Sequence, residues 1–99
     1  TGRERAPQLP EVPTVAETLP GFENYGWFGI VAPAGTPKEV IDKVYHDTVK
    51  ALDSSDMRAR FFVQGMATVG NPPAEFEKDM QAERARWAQV VKQRKIAVK

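Results

Sequence analysis

Cysteine is absent from the 99 residues, which excludes disulfides, thiolate metal sites and cysteine nucleophiles. Its absence leaves the compartment open, because reducing and oxidising environments both tolerate a cysteine-free chain. A surplus of charge is missing too: 14 Lys and Arg stand against 13 Asp and Glu, a formal net charge of +1. Dedicated nucleic-acid binders gather a basic surplus on one face, so this balance argues against that class. No apolar run approaches the roughly 18 to 20 residues of a membrane span, and there is no internal repeat or low-complexity tract. The phosphate-loop spacings GxGxxG and GxxxxGK do not occur around Gly26, Gly29 and Gly35. What remains is 41% hydrophobic and 27% charged, the composition of a folded domain and not of a disordered tail. At this length there is room for one small domain. The chain opens Thr1-Gly2-Arg3-Glu4-Arg5, without an initiator methionine or a basic-then-apolar leader, and is expected to be a segment of something longer.

Proline and glycine crowd the first 26 residues, with Pro7, Pro10, Pro13, Pro20, Gly2, Gly21 and Gly26. Proline removes a backbone donor and pushes its predecessor to extended geometry, so a surface-following connection is expected here. One short helical turn is predicted inside it, because Thr14 and Glu17 have capping-box spacing and Leu19-Pro20-Gly21 stops it. Trp27-Phe28-Gly29-Ile30-Val31-Ala32-Pro33 is the best strand, apolar throughout and bounded by Gly26 and Gly35. A continuous apolar run predicts a strand covered on both faces. Thr36 as N-cap, Pro37 at the first helical position and Glu39 then start a helix running to Leu52, with Ile41, Val44, Tyr45, Thr48 and Leu52 on one stripe. Ser54, Ser55 and Asp56 begin a third helix that Gly65 ends. Met66 to Val69 is a weak second strand. Asn71-Pro72-Pro73 launches the longest helix, to about Gln93, with Phe76, Met80, Trp87 and Val91 as its buried stripe. Ile96 and Val98 form a frayed end or a short strand. The class is α/β, yet the chain lacks neighbours for a strand apolar on both faces. That deficiency predicts a fragment, or a protomer that borrows strands.

No residue pattern announces an active site. His46 has Asp42, Asp47 and Lys50 within helical reach, an ordinary solvated cluster. Asp79 and Glu83 are an i, i+4 carboxylate pair, the spacing acid–base work would use. Arg84, Arg86 and Lys78 surround them, so a structural carboxylate held by a cation is the favoured reading of Glu83. Pro33-Ala34-Gly35-Thr36 leads into a helix N-terminus whose free N–H groups suit an anion; Thr36 capping its own helix is the simpler use. Near the end, Arg84, Arg86, Lys92, Arg94, Lys95 and Lys99 face Glu83, which complements a helix dipole. From the residues alone the reading stops at a helix-rich α/β piece without a visible active site, with a small helical interaction module using that basic helix and a small acid–base enzyme built on Asp79, Glu83 or His46 as the classes they leave open.

Several segments in order carry a resemblance. They are Leu9-Pro10-Glu11-Val12-Pro13-Thr14-Val15-Ala16-Glu17, Pro20-Gly21-Phe22, Trp27 through Pro37, Gln64-Gly65, and Glu83-Arg84-Ala85-Arg86-Trp87. This set is similar to the C-terminal third of the tripartite tricarboxylate transporter substrate-binding proteins, the Bug-type receptors. The resemblance implies a C-terminal fragment of a two-lobed periplasmic-binding-protein-like fold, helix-rich with one or two strands. Residues 1–26 would be the inter-lobe connection and a second-lobe segment, and 27–99 the C-terminal part of the first lobe. It implies a periplasmic (extracytoplasmic) receptor for small carboxylates that delivers them to a membrane permease, with no cofactor, metal, nucleic acid or catalysis. Trp27, Phe28 and Gly29, beside the crossing between lobes, are the only cleft candidates. Lacking its flanking strands, the 99-residue chain is expected to self-associate.

Overall fold

The computed structural model describes residues 1–97. Its regular structure is α1 (Val15–Thr18), α2 (Lys38–Leu52), α3 (Ser55–Val63) and α4 (Pro73–Arg94). These divide between two compact units, Thr1–Thr68 and a second that begins at Val69.

In the first unit the proline-rich opening closes on itself. The Asn24 N–H donates to the Thr1 carbonyl at 3.0 Å, and the Arg3 N–H donates to the Tyr25 hydroxyl at 2.9 Å. Gly2 lies so near the Tyr25 ring that a Cβ there would come within 2.9 Å of Cε1. Inside the loop sits α1, begun by the expected Thr14–Glu17 capping box. The Thr14 N–H donates to Glu17 Oε1 at 3.3 Å. The other arm is looser: the Glu17 N–H donates to the Thr14 carbonyl at 3.2 Å, and the Thr14 hydroxyl falls short of full hydrogen-bond geometry. Gln8 Nε2 then donates to the Phe62 carbonyl at 2.7 Å, tying this loop to the last turn of α3.

Pro33 to Thr36 is a tight turn. The Thr36 N–H donates to the Pro33 carbonyl at 3.2 Å and Gly35 has φ +83°, as a type II turn requires of its third residue. The predicted cap is corrected here: α2 begins one residue later, with Pro37 as N-cap. Thr36 instead spends its hydroxyl backward, donating to the Pro33 carbonyl at 2.8 Å. Along α2, Ile41, Tyr45, Thr48 and Leu52 are half-buried as the stripe predicts, while Val44 stays 45% exposed. Helix α3 packs against α2. It is capped by Ser54, whose hydroxyl accepts the Met57 N–H at 3.4 Å. Gly65 ends it in the left-handed region at φ +72°, with the Gly65 N–H on the Phe62 carbonyl and the Met66 N–H on the Phe61 carbonyl. That pair of bonds is the Schellman arrangement.

The second unit holds α4, with Pro73 in its first turn. Phe76 and Met80 are half-buried, but Trp87 is 46% exposed and Val91 36%. The buried stripe predicted there is therefore half-formed, because among the described residues of its unit no second helix or strand closes over it. Lys95 adopts φ +51° at its end, and Val98 lies outside the described residues.

The two predicted strands are the main correction. Among the described residues there is no strand, so the α/β expectation reduces to a helix-rich chain. A ladder needs a second strand, and among the described residues none is assigned beside residues 28–32: Phe28 is 92% exposed, Ile30 68% and Val31 73%. In the second segment Met66 is held by the turn at Gly65, and Val69 is 79% exposed. Thr14 is the one buried residue among those described, and no apolar side chain is buried.

Candidate functional site

Trp27, Phe28 and Gly29 follow directly on the closed loop at Tyr25 and precede the turn at Pro33. They lie on irregular backbone, with Trp27 about half exposed. The two best-formed concavities lie elsewhere. One runs along α3 beside Asp56, Arg60, Val63 and Gln64, and the other along α2 beside Val40, Lys43, Val44 and Asp47. Both are shallow grooves on helix surfaces, unlike the enclosing clefts that hold small ligands.

The titratable candidates do not converge. His46 Nδ1 is 2.7 Å from the Asp42 carbonyl oxygen, one turn back on its own helix, and its ring meets Tyr45 edge-on at 5.3 Å. Its acidic neighbours are engaged by lysines: Lys38 with Asp42, and Lys43 with Asp47 at 2.7 Å. The hydrogen bond from Lys43 holds the Asp47 carboxyl below the usual range, and the lysine is raised in turn. Asp79 and Glu83 each serve a separate neighbour. Asn71 Nδ2 donates to Asp79 at 2.9 Å. Glu83 Oε1 accepts from Trp87 Nε1 at 3.1 Å and from Arg86 Nη2 at 3.3 Å. Arg86 also lies 5.5 Å from the centre of the Trp87 ring. Glu83 is thus the carboxylate held by a cation that its sequence neighbourhood suggests. Among the described residues no group of three or more His, Asp or Glu is placed to hold a metal ion.

The strongest polar cluster was not legible beforehand. Arg5 grips Glu17 with two parallel bonds, Nε to Oε1 and Nη2 to Oε2, both at 2.7 Å, and gives its Nη1 to the Pro10 carbonyl at 3.0 Å. This is the planar two-point geometry for which guanidinium is suited. The arginine's hydrogen bonds, and then the Thr14 N–H, lower the Glu17 carboxyl to about 2. Arg3 pairs similarly with Glu23. These partners lie 12 and 20 residues apart, where no helical or strand period links them. The cluster fastens the opening loop and leaves no free acid or base facing a cavity.

The titratable candidates among the described residues thus have separate partners, and comparison with known proteins supplies the class. Residues 1–96 match the tripartite tricarboxylate transporter family receptor. The chain belongs to that family. It is 38% identical over 93 residues to the UPF0065 protein of the tcbD–tcbE intergenic region of Pseudomonas sp. strain P51, covering 92% of this chain and 28% of that protein. It is 33% identical over 91 residues to protein BugT of Bordetella pertussis, covering 91% of this chain and 28% of BugT. A UPF0065 protein of Cupriavidus necator is 35% identical over 57 residues, 58% of this chain and 17% of that protein. The chain thus spans a little over a quarter of the first two relatives. No solved structure matches it. Among the described residues no helix is long and apolar enough to cross a membrane.

Proposed function

We propose that this chain is the C-terminal part of an extracytoplasmic solute receptor. In the whole protein it would help bind small carboxylates between two lobes and deliver them to a tripartite tricarboxylate-type permease. The observation that carries the reading is the family match across residues 1–96. Residues 1–26 serve as the inter-lobe connection with a second-lobe segment, and 27–99 as the last part of the first lobe. The closed loop pinned at Thr1, Asn24 and Tyr25 suits such a connection, because it returns the chain to its point of entry. Trp27, Phe28 and Gly29, immediately after it, form part of the wall beside the ligand.

The receptor works by binding, without a cofactor. Carboxylate capture between lobes draws on backbone N–H groups, hydroxyls and waters, and needs no acid–base pair. The test is calorimetric titration of a full-length receptor carrying these residues with citrate, glutamate and benzoate. Binding of one of them in the micromolar range, weakened at least tenfold by Trp27→Ala, is the expected result. A well-folded receptor that binds none of the three overturns the ligand class. Unchanged affinity in Trp27→Ala removes these residues from the cleft.

A further inference from the structure

Charge is spread unevenly along the chain: from Arg84 to Lys99 there are six Lys and Arg and no Asp or Glu. Arg84, Ala88 and Lys92 fall on one stripe of α4 at steps of four, Lys95 follows at its C-cap, and all four are exposed. Elsewhere on the helices Lys38–Asp42, Lys43–Asp47, Arg60–Asp56 and Arg86–Glu83 form ion pairs about one turn apart. Arg84, Lys92 and Lys95 have no acidic residue three or four positions away on either side. Among the described residues no ion pair engages them. The helix dipole accounts for Lys92 and Arg94 in the last turn, but its pull fades within that turn. Arg84 stands about three turns from the end, beyond that reach.

We propose that Arg84, Lys92 and Lys95 form the face by which the whole receptor docks on an acidic protein surface, the extracytoplasmic loops of its permease. Charge complementarity selects this occupant. In membrane proteins Lys and Arg concentrate in the cytoplasmic loops, so the loops on the other side leave their acidic residues uncompensated and attract a basic face. A lipid surface fits less well, because the stripe has Ala88 between its cations and no large apolar side chain to insert. Exposed charges that steer an encounter raise the rate of association more than the lifetime of the complex. That suits a receptor that must dock, release its solute and leave. The inference rests on the receptor reading and adds to it the surface that meets the permease.

The experiment measures association of a full-length receptor carrying these residues with the tripartite tricarboxylate-type permease of the same organism, reconstituted in phosphatidylcholine vesicles. At low salt the triple variant Arg84→Glu, Lys92→Glu, Lys95→Glu should associate at least about tenfold more slowly, with dissociation changed much less. Raising salt from about 0.05 to about 0.5 M should slow the wild type toward the variant and leave the variant nearly unaffected. Calorimetric titration with the receptor's carboxylate should give the same affinity in both forms, since the stripe is remote in role from the solute. Equal association of wild type and variant with the permease overturns the docking face alone. A receptor that binds its solute and never associates with the permease overturns the delivery reading, and the docking face with it. Binding to permease-free vesicles containing phosphatidylglycerol that the triple variant abolishes would make the occupant a lipid surface and overturn the proposal. Should the charge-reversed receptor fail to fold, the Gln variants at the same three positions carry the test, with a smaller slowing of the same sign expected and no slowing overturning the proposal.

Discussion

Glu17 is exposed at the surface, yet its carboxyl is drawn down to about 2 from an ordinary 4.5, first by the Arg5 hydrogen bonds and then by the Thr14 N–H. A depressed carboxyl stabilises the fold above its unfolded value and stops doing so once protonated in both states. The clasp therefore contributes fully above about pH 4.5 and is lost as pH falls toward 2. Carbon-detected NMR titration should show Glu17 titrating well below the ordinary 4.5, and Arg5→Ala should return it to the ordinary range. A Glu17 midpoint near 4.5 in the intact chain would mean that the clasp does not form. Lys95 offers the opposite case, a residue whose type suits its place poorly. At φ +51° it occupies the left-handed position that ends α4, where a side chain costs about 1 kcal/mol that glycine does not. Lys95→Gly should raise the helical signal on heating, and a lower midpoint would show that the lysine side chain matters more there than its backbone strain.

At the scale of elements, the helices were readable because each carries its own boundary chemistry. Thr14 with Glu17, Ser54, Pro73 and Gly65 mark starts and stops within a few residues of the bonds they make. The Arg5–Glu17 clasp was not readable, since its partners meet only after the chain has closed a loop. The strands failed for a related reason: side-chain pattern records burial in a finished sheet, while a ladder exists only where a partner is present. Residues 28–32 keep the pattern and form no ladder among the described residues, so the sequence offers Trp27, Phe28 and Gly29 as cleft candidates without fixing a geometry for them. Gly65 allows the local half of this argument to be measured. Nothing lies within 4 Å of where its Cβ would be, so Gly65→Ala introduces backbone strain without a clash. At φ +72° that strain should cost about 1 to 2 kcal/mol, seen as earlier melting of α3 in hydrogen exchange. A neutral substitution would mean the Schellman end of α3 is not populated in solution.

For the molecule as a whole, the deciding fact is that no apolar side chain is buried among the described residues. Burying a large aliphatic or aromatic side chain is worth roughly 1.5 to 3 kcal/mol. Phe28, Ile30 and Val31 alone therefore leave several kcal/mol unused, in a polymer class whose net stability is about 5 to 15 kcal/mol. Exposed ion pairs such as Lys43–Asp47 and Arg60–Asp56 do not replace that amount, since solvent screens them and ordering their long side chains offsets most of the attraction. By themselves the 99 residues should melt over a broad range, bind a dye that reports exposed apolar surface, and self-associate through the exposed side chains of Phe28, Ile30 and Val31. Light scattering at micromolar concentration should give a mass above that of one chain, and Phe28→Lys with Val31→Lys should return it to one. The same preparation should take up no citrate, glutamate or benzoate, because its concavities are open helix grooves. A monomer with a sharp, cooperative melt would show that these residues close a core unaided, and micromolar binding by that monomer would place the receptor's ligand site within them.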